Sequence, residues 1–419
     1  MSAFGRWIGV PVACAGLFVA GFVTPDLKSG HVSTKPLANL TKRFSKEEPA
    51  AVEPGELFSN VFASVTKDYS GSVNSRELKF AAMEGLVGSL GDPHTMFMAP
   101  DLATEFKKET SGQVDFVGIG ARLQPDPQGA KIVSVFHGTP AFNAGIKSGD
   151  IILEVNKLPM NGLPIDKIIS NIRGEKGTKV TITVLRASTG QKLTFTMTRN
   201  KVLTPTADGF MLDGKQIAYV QVFGFADTTP QQFADTLDTL DAAKPKGLII
   251  DLRGNPGGLL EAARTMLSRY IADKVVVTMR GREGIEQQVL ALSDESKPLT
   301  YPIAILVNED SASASEIFAG VMRDYKLATI VGEHTYGKSS VQNLFPMPDG
   351  SSAKVTIAKY YLPSGVNMDR KVDEEGKYLS GGLLPDVKVE LNLGPATVVG
   401  DLKTDNQLQK AVSVIESKL

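Results

Sequence analysis

The sequence predicts an α/β protein of several domains, and three observations carry that expectation. With 419 residues, the chain exceeds one compact core and, at about 150 residues per domain, makes about three. From Gln216 onward, short β-branched runs alternate with segments of helical spacing, the pattern of an α/β core. Between residues 111 and 200, β-rich runs separated by glycine and proline turns suggest a smaller domain of different character. Composition then excludes classes of function. A hydrophobic share of 42% with 22% charged excludes wholesale disorder. Lys plus Arg is 45 against 46 for Asp plus Glu, a net charge of −1, which argues against a nucleic-acid binder held by phosphate contacts. The single cysteine, Cys14, allows no intrachain disulfide and no zinc site built on several thiolates. The four histidines (His31, His94, His137, His334) show no HExxH spacing, so neither a metal nor another cofactor is expected.

The elements follow in chain order. Residues 7–23 carry no charge and follow Arg6, the pattern of a secretory signal or a short membrane anchor within residues 1–25. A lipoprotein site at Cys14 fits poorly, because Pro11-Val12-Ala13 lacks the usual leucine. Either export reading puts the body of the chain outside the cytosol, in the periplasm or cell envelope. Residues 26–54 turn to Lys, Ser, Thr, Glu and Pro, a flexible tether. A helical region is expected over 55–110, from the spacing of Leu57, Phe58, Val61, Phe62 and Val65 and a second run near Leu78–Leu90. The turn GDPHT at 91–95 follows, with His94 read as a turn or capping residue.

In the second domain, 111–200, the strand-like runs 117–123, 131–136, 150–156 and 179–185 flank a short helix at 139–146 and another near 164–172. The pairing of VGIG with PAFNAGIKSGDIILEVN resembles a PDZ domain. In such domains backbone N–H groups of the glycine loop receive a peptide's terminal carboxylate, while the peptide adds a strand to the sheet edge. The resemblance puts that loop at Val117, Gly118, Ile119 and Gly120.

Within the third region, 201–395, GLIIDLRG is a buried strand leading to Asn255-Pro256-Gly257-Gly258. AILVNE is another, opening into SASASEIFAG, where apolar positions 317, 318, 321, 322 and 325 put the serines at a helix start. LATIVGE ends just before Thr335-Tyr336-Gly337-Lys338. A helix N-terminus favours developing negative charge, and a lysine whose pKa is depressed by burial can serve as a general base. With no GxSxG and few histidines, a serine–lysine pair fits better than a Ser-His-Asp triad.

Together, DLRGNPGG, NEDSASASEIFAG, GEHTYGKSSVQ, GGLLPDV and the PDZ-like segment resemble the C-terminal processing peptidases, or tail-specific proteases, of serine peptidase family S41. The resemblance runs from about residue 55 to 395 and implies a ClpP/crotonase-like α/β peptidase core with an inserted PDZ domain. It further implies Ser313 as nucleophile, Lys338 as base, Gln342 as its orienting partner, and the backbone N–H groups of Gly258 and Ala314 as the oxyanion hole. The chain departs from the family pattern at Ser339, where glycine is usual, and at Leu384, where isoleucine is common. His334 falls at a variable position and is read as surface or turn.

The expected activity is an endopeptidase cleaving proteins near their C-terminus, with apolar free tails as partners. An envelope adaptor protein and a homo-oligomer are further partners left open. A catalytically silent PDZ scaffold is the alternative from another class. A P-loop is a third reading, because residues 332–339 satisfy GxxxxGK[ST], but the prolines at 346 and 348 argue against the helix that such a loop must open. Residues 396–419 form an amphipathic helix, with Leu408, Ala411, Val412 and Ile415 on one face to pack on the core or to dimerise the chain.

Overall fold

A computed structural model describes residues 52–113, 115–136, 138–186, 189–212, 214–294, 296–297, 301–392 and 397–419. The expected membrane-directing run 7–23 and nearly all of the tether lie outside the described residues. Among the described residues, no helix is long and apolar enough to cross a membrane. The chain divides into two units, residues 1–79 and 80–419.

In the first unit, α1 (Pro54–Asp68) opens on a proline, whose fixed φ suits a first helical position. Helix α2 (Ser75–Gly88) starts in this unit. Asn74 caps it reciprocally: its Oδ1 accepts the Arg76 N–H at 3.1 Å, and its Nδ2 donates to Glu77 Oε1 at 2.8 Å.

The second unit begins with β1 (Met96–Met98) and α3 (Pro100–Ser111). A β-sandwich-like subdomain follows: β2 (Asp115–Gly118), β3 (Ala121–Asp126), β4 (Gly129–Val135), α4 (Pro140–Ala144), β5 (Asp150–Val155), β6 (Leu158–Pro159), α5 (Ile165–Ile172), β7 (Lys179–Arg186), β8 (Gln191–Thr198) and β9 (Asn200–Leu203). Its main sheet runs β3-β4-β5-β7-β8, so β3 is an edge strand, and β2 pairs separately with β9. Alternate residues of each strand point to one face, so Ile132, Ile152, Val180, Ile182 and Val184 form a buried layer capped by Ala141 and Ile168 of the helices. Asp150 is locked by a two-pronged Arg186 contact at 2.9 and 2.8 Å.

The core comprises β10 (Ala207–Met211), β11 (Ile217–Val222), α6 (Thr229–Asp241), β12 (Gly247–Asp251), α7 (Leu260–Ser268), β13 (Val275–Gly281), β14 (Glu286–Leu290), β15 (Ile303–Val307), α8 (Ala314–Asp324) and β16 (Ala328–Gly332). It continues through β17 (Ser340–Pro346), β18 (Ser352–Tyr361), a hairpin of β19 (Lys371–Val372) and β20 (Tyr378–Ser380), β21 (Val387–Lys388) and α9 (Asn406–Glu416). The central sheet has the order β10-β11-β12-β15-β16-β21, parallel except for β10. Its strands read as continuous apolar runs because both faces are covered. Leu248, Ile250, Ile303, Ile305 and Val307 face Phe233, Met266 and Phe318 on helices α6 to α8. Ile249, Ala304 and Leu306 face Leu408, Ala411, Val412 and Ile415 of α9. The apolar face of α9 is therefore spent on the core. A second, antiparallel sheet runs β1-β18-β13-β14, with β17 on β18. The α/β expectation holds.

Candidate active site

Strand β15 ends at Val307, and the chain then turns through residues 308–313 into α8. The outer serines of SASAS act as fasteners. Ser311 Oγ donates to Leu252 O at 2.8 Å, and Ser315 Oγ donates to Asn255 O at 3.0 Å. With Ala312 N–H on Asn255 O at 3.1 Å and Gly254 N–H on Asn308 Oδ1 at 2.8 Å, they lace the turn to the NPGG loop. The middle serine is different: Ser313 adopts φ 54°, ψ −114°. That region is sparsely populated by non-glycine residues. It makes a sharp strand-to-helix elbow of the kind that can lift a nucleophile clear of the backbone, formed here without GxSxG.

Close approach of the two loops explains the double glycine. A Cβ on Gly257 (φ 94°) would lie 2.5 Å from Ala312 O, and one on Gly258 (φ 143°) would lie 2.1 Å from Phe225 O. Phe225 N–H donates to Gly257 O, and Leu259 N–H donates to Phe225 O. The intervening Gly258 amide is left without an internal acceptor among the described residues, as is the Ala314 amide at the first position of α8. Both line one cleft of about 640 Å³ with Ser313, Lys338, Gln342 and Tyr360.

Lys338 arrives on the loop between β16 and β17. Its ammonium makes no hydrogen bond or ion pair among the described residues. Burial pushes its pKa below the ordinary value of 10.5; the Lys354 charge adds to this, while Asp92 and Glu316 oppose it. The loop is held by Glu316, which has no exposed surface. Its carboxylate accepts the N–H groups of Ser313 (2.8 Å), Gly337 (2.8 Å) and Lys338 (2.9 Å), together with the Thr335 hydroxyl. One carboxylate thus ties the elbow to the lysine loop. Burial raises its pKa, against the pull of these four donors. Tyr360 reinforces the tie, its hydroxyl donating to Lys338 O at 2.5 Å and lying 3.3 Å from Ser313 O.

Gln342 reaches the cleft wall, and among the described residues its side chain makes no hydrogen bond to Lys338. Its Nε2 donates instead to Ser340 Oγ (2.8 Å) and Thr356 Oγ1 (3.2 Å). A bulge between Val341 and Gln342 re-aims the side chain. Ser339, at the position where the family usually has glycine, is buried and donates to Asp369 and Asn367. His334 stacks on Tyr378 at 4.0 Å, outside the cleft lining. Residues 332–339 lead into strand β17 rather than a helix, which removes the P-loop reading.

The sequence marks the GDPHT turn but not its place beside the cleft. Asp92 accepts from His94 N–H (3.0 Å) and Thr95 Oγ1 (2.6 Å), and Thr95 Oγ1 accepts the Thr356 N–H of β18. The turn therefore sits beside Lys338: His94 has its pKa lowered first by burial and next by Lys338. Glu316 did carry a sequence signal, the S-x-x-E spacing of a helix start, but nothing in it pointed to Lys338.

In the PDZ-like subdomain, Gly118 and Ile119 line a groove of about 430 Å³ with Leu123, Phe136, Ile169 and Ile172. Val117 pairs within β2, and Gly120 turns at φ 81°. The N–H groups of Ile119 and Gly120 have no internal acceptor among the described residues. Thr204, Pro205 and Phe223 line both this groove and the serine cleft, so the two adjoin.

The model of peptidase family S41 matches residues 216–389, and that of the PDZ domain matches 117–200. The carboxy-terminal processing protease CtpA of Bacillus subtilis (strain 168) is 33% identical over 337 residues, covering 80% of this chain and 69% of that one. The carboxyl-terminal-processing protease of Synechocystis sp. is 31% identical over 323 residues, covering 76% and 72%. A solved structure of an S41-type protein from Bacteroides fragilis NCTC 9343 shares the fold at a TM-score of 0.56 and 14% identity, over 86% of this chain and 97% of that one.

Proposed function

This chain belongs to peptidase family S41, as a serine-type peptidase of the carboxy-terminal processing group with a PDZ domain, and on that premise we propose a Ser313–Lys338 dyad acting on the C-terminal regions of proteins. The observation that carries the reading is the cleft in which Ser313, an unpaired Lys338 and the two acceptor-free amides of Gly258 and Ala314 meet. Ser313 Oγ attacks the scissile carbonyl carbon as neutral Lys338 takes its proton. The carbonyl oxygen becomes an oxyanion that receives the Gly258 and Ala314 N–H groups and the positive end of α8. Lys338 then gives the proton to the leaving amine. Water, deprotonated by Lys338, hydrolyses the acyl-enzyme and frees Ser313.

The apolar groove and the open edge of β3 support capture of a tail with an apolar end, as an added strand. Contiguity of groove and cleft supports passage of the same chain toward Ser313. The uncharged run 7–23 supports an exported enzyme held at the cell envelope.

The pH profile tests the base. Only neutral Lys338 can accept the Ser313 proton, so kcat rises with pH through a midpoint below 10.5, as its lowered pKa requires. Lys354→Met removes one cause of the lowering and is expected to move that midpoint to higher pH. Lys338→Met should abolish cleavage of a tail-bearing protein followed by mass spectrometry. A Lys338→Met enzyme with normal kcat at neutral pH would sink the dyad.

A further inference from the structure

Arg253 stands at the junction between β12 and the NPGG loop, with a side chain only 4% exposed. Its Nε and Nη2 hold Asp251 at 3.0 and 2.6 Å, and Asp251 also accepts the Tyr219 hydroxyl at 2.7 Å. The other side of the guanidinium is held from far along the chain. Nη2 and Nη1 donate to Asp405 at 2.7 and 3.1 Å, and Nη1 also donates to Gln407 Oε1 at 2.9 Å. Asp405 has no exposed surface and accepts two further N–H groups, from Gly400 (2.8 Å) and Leu408 (3.0 Å). The N-terminal part of this segment fastens elsewhere. Lys131 Nζ on β4 donates to Thr397 O at 2.5 Å. Val398 packs against Gly149 so closely that a Cβ there would stand 2.5 Å from it. Residues 397–407 are thus fixed at one end to the PDZ domain and at the other to the arginine that precedes the NPGG loop.

We propose that Asp405 is a positioning residue for the oxyanion loop, and that residues 397–407 are a strap setting the place of the Gly258 amide through Arg253. This rests on the proposed mechanism, with Ser313 as nucleophile and the Gly258 amide as an oxyanion donor. A guanidinium gripped on both sides by carboxylates cannot swing. If Asp405 loses its charge, half of that grip is gone, and a buried guanidinium with unused donors turns toward other acceptors. The backbone between Arg253 and Gly258 is laced to the Ser313 elbow through Gly254 and Asn255, so a displacement of Arg253 is passed to both sides of the cleft. Oxyanion donors act only within a few tenths of an ångström of the right place. The cost therefore falls on the transition state and not on substrate binding.

The test uses the full chain and a peptide substrate followed by mass spectrometry, giving kcat and KM separately. Asp405→Asn is expected to lower kcat about 10- to 100-fold, with KM changed by less than about twofold, a fraction of the effect of losing an oxyanion donor outright. Lys131→Met leaves the buried network intact and removes one of the two fastenings of the strap's PDZ end, the other being Val398 against Gly149; it is expected to lower kcat severalfold while the protein melts as the wild type does. A purely structural role would reduce the folded fraction but not kcat per folded enzyme. A folded Asp405→Asn enzyme with wild-type kcat, or a loss confined to KM, would overturn the proposal. If Asp405→Asn does not fold, an unchanged kcat in Lys131→Met overturns it. Ser313→Ala separates the two levels: cleavage by that variant defeats the underlying reading, whereas the strap alone fails when Ser313→Ala is dead and the strap variants are not impaired.

Discussion

Ser313→Ala is expected to lower kcat by about 10⁴- to 10⁶-fold while the protein still folds. The size follows from what the substitution removes on the proposed mechanism: the attacking oxygen itself, with no other hydroxyl poised at the elbow. What it leaves is also informative. The Gly258 and Ala314 amides and the α8 N-terminus stay in place, so substrate still binds and a residual rate over water persists. Ser311 and Ser315, which fasten the turn to the NPGG loop, are untouched, so the melting temperature should stay within a few degrees of the wild type. Product masses after incubation with a tail-bearing protein supply the measurement. Wild-type cleavage by the purified variant would remove Ser313 from the chemistry.

The second large effect is expected at Glu316. Glu316→Ala removes the acceptor of three backbone N–H groups and the Thr335 hydroxyl, all in a place that water reaches poorly. Each buried donor left unpaired costs about 1–3 kcal/mol, so with partial rehydration the loss is about 3–5 kcal/mol. In a protein of this size that is a fall of about 4–7 °C in Tm. Activity should fall by more than the loss of folded protein explains, because this carboxylate sets the distance between Ser313 and Lys338. Thermal melts and kcat per folded enzyme separate the two losses. A variant that melts and cleaves like the wild type would show that Tyr360 alone ties the loops.

Much of this architecture was legible in the sequence, for reasons that differ from element to element. Strands such as Gly247–Asp251 and Ile303–Val307 announce themselves because burial on both faces demands uninterrupted apolar residues. The C-terminal helix was legible from Leu408, Ala411, Val412 and Ile415, but the choice between packing on the core and joining two chains needed the sheet face that receives it. Ser313, Lys338 and the glycine loop were visible only as an ordered set, since serines at a helix start and a lysine beside glycine mean little separately. What could not be read depended on long-range pairing. The GDPHT turn approaches Lys338 because Met96 pairs with Lys354, a register that no local pattern encodes. The direction of Gln342 depends on a one-residue irregularity in a strand pair. The elbow at Ser313 is hidden for another reason: its backbone suits glycine, and a serine occupies it.

The backbone strain at Ser313 lowers the stability of the folded chain. Ser313 carries a side chain at a place where the main chain would relax without one, so this protein is less stable than its own fold allows. Ser313→Gly should therefore melt above Ser313→Ala by about 1 kcal/mol, since both lack the hydroxyl and only glycine accepts the backbone angles without strain. Selection for thermal robustness alone would drift toward glycine at this position and, on the proposed mechanism, extinguish catalysis as it did so. The difference in melting between those two inactive variants measures what the working enzyme gives up to hold its hydroxyl in the cleft.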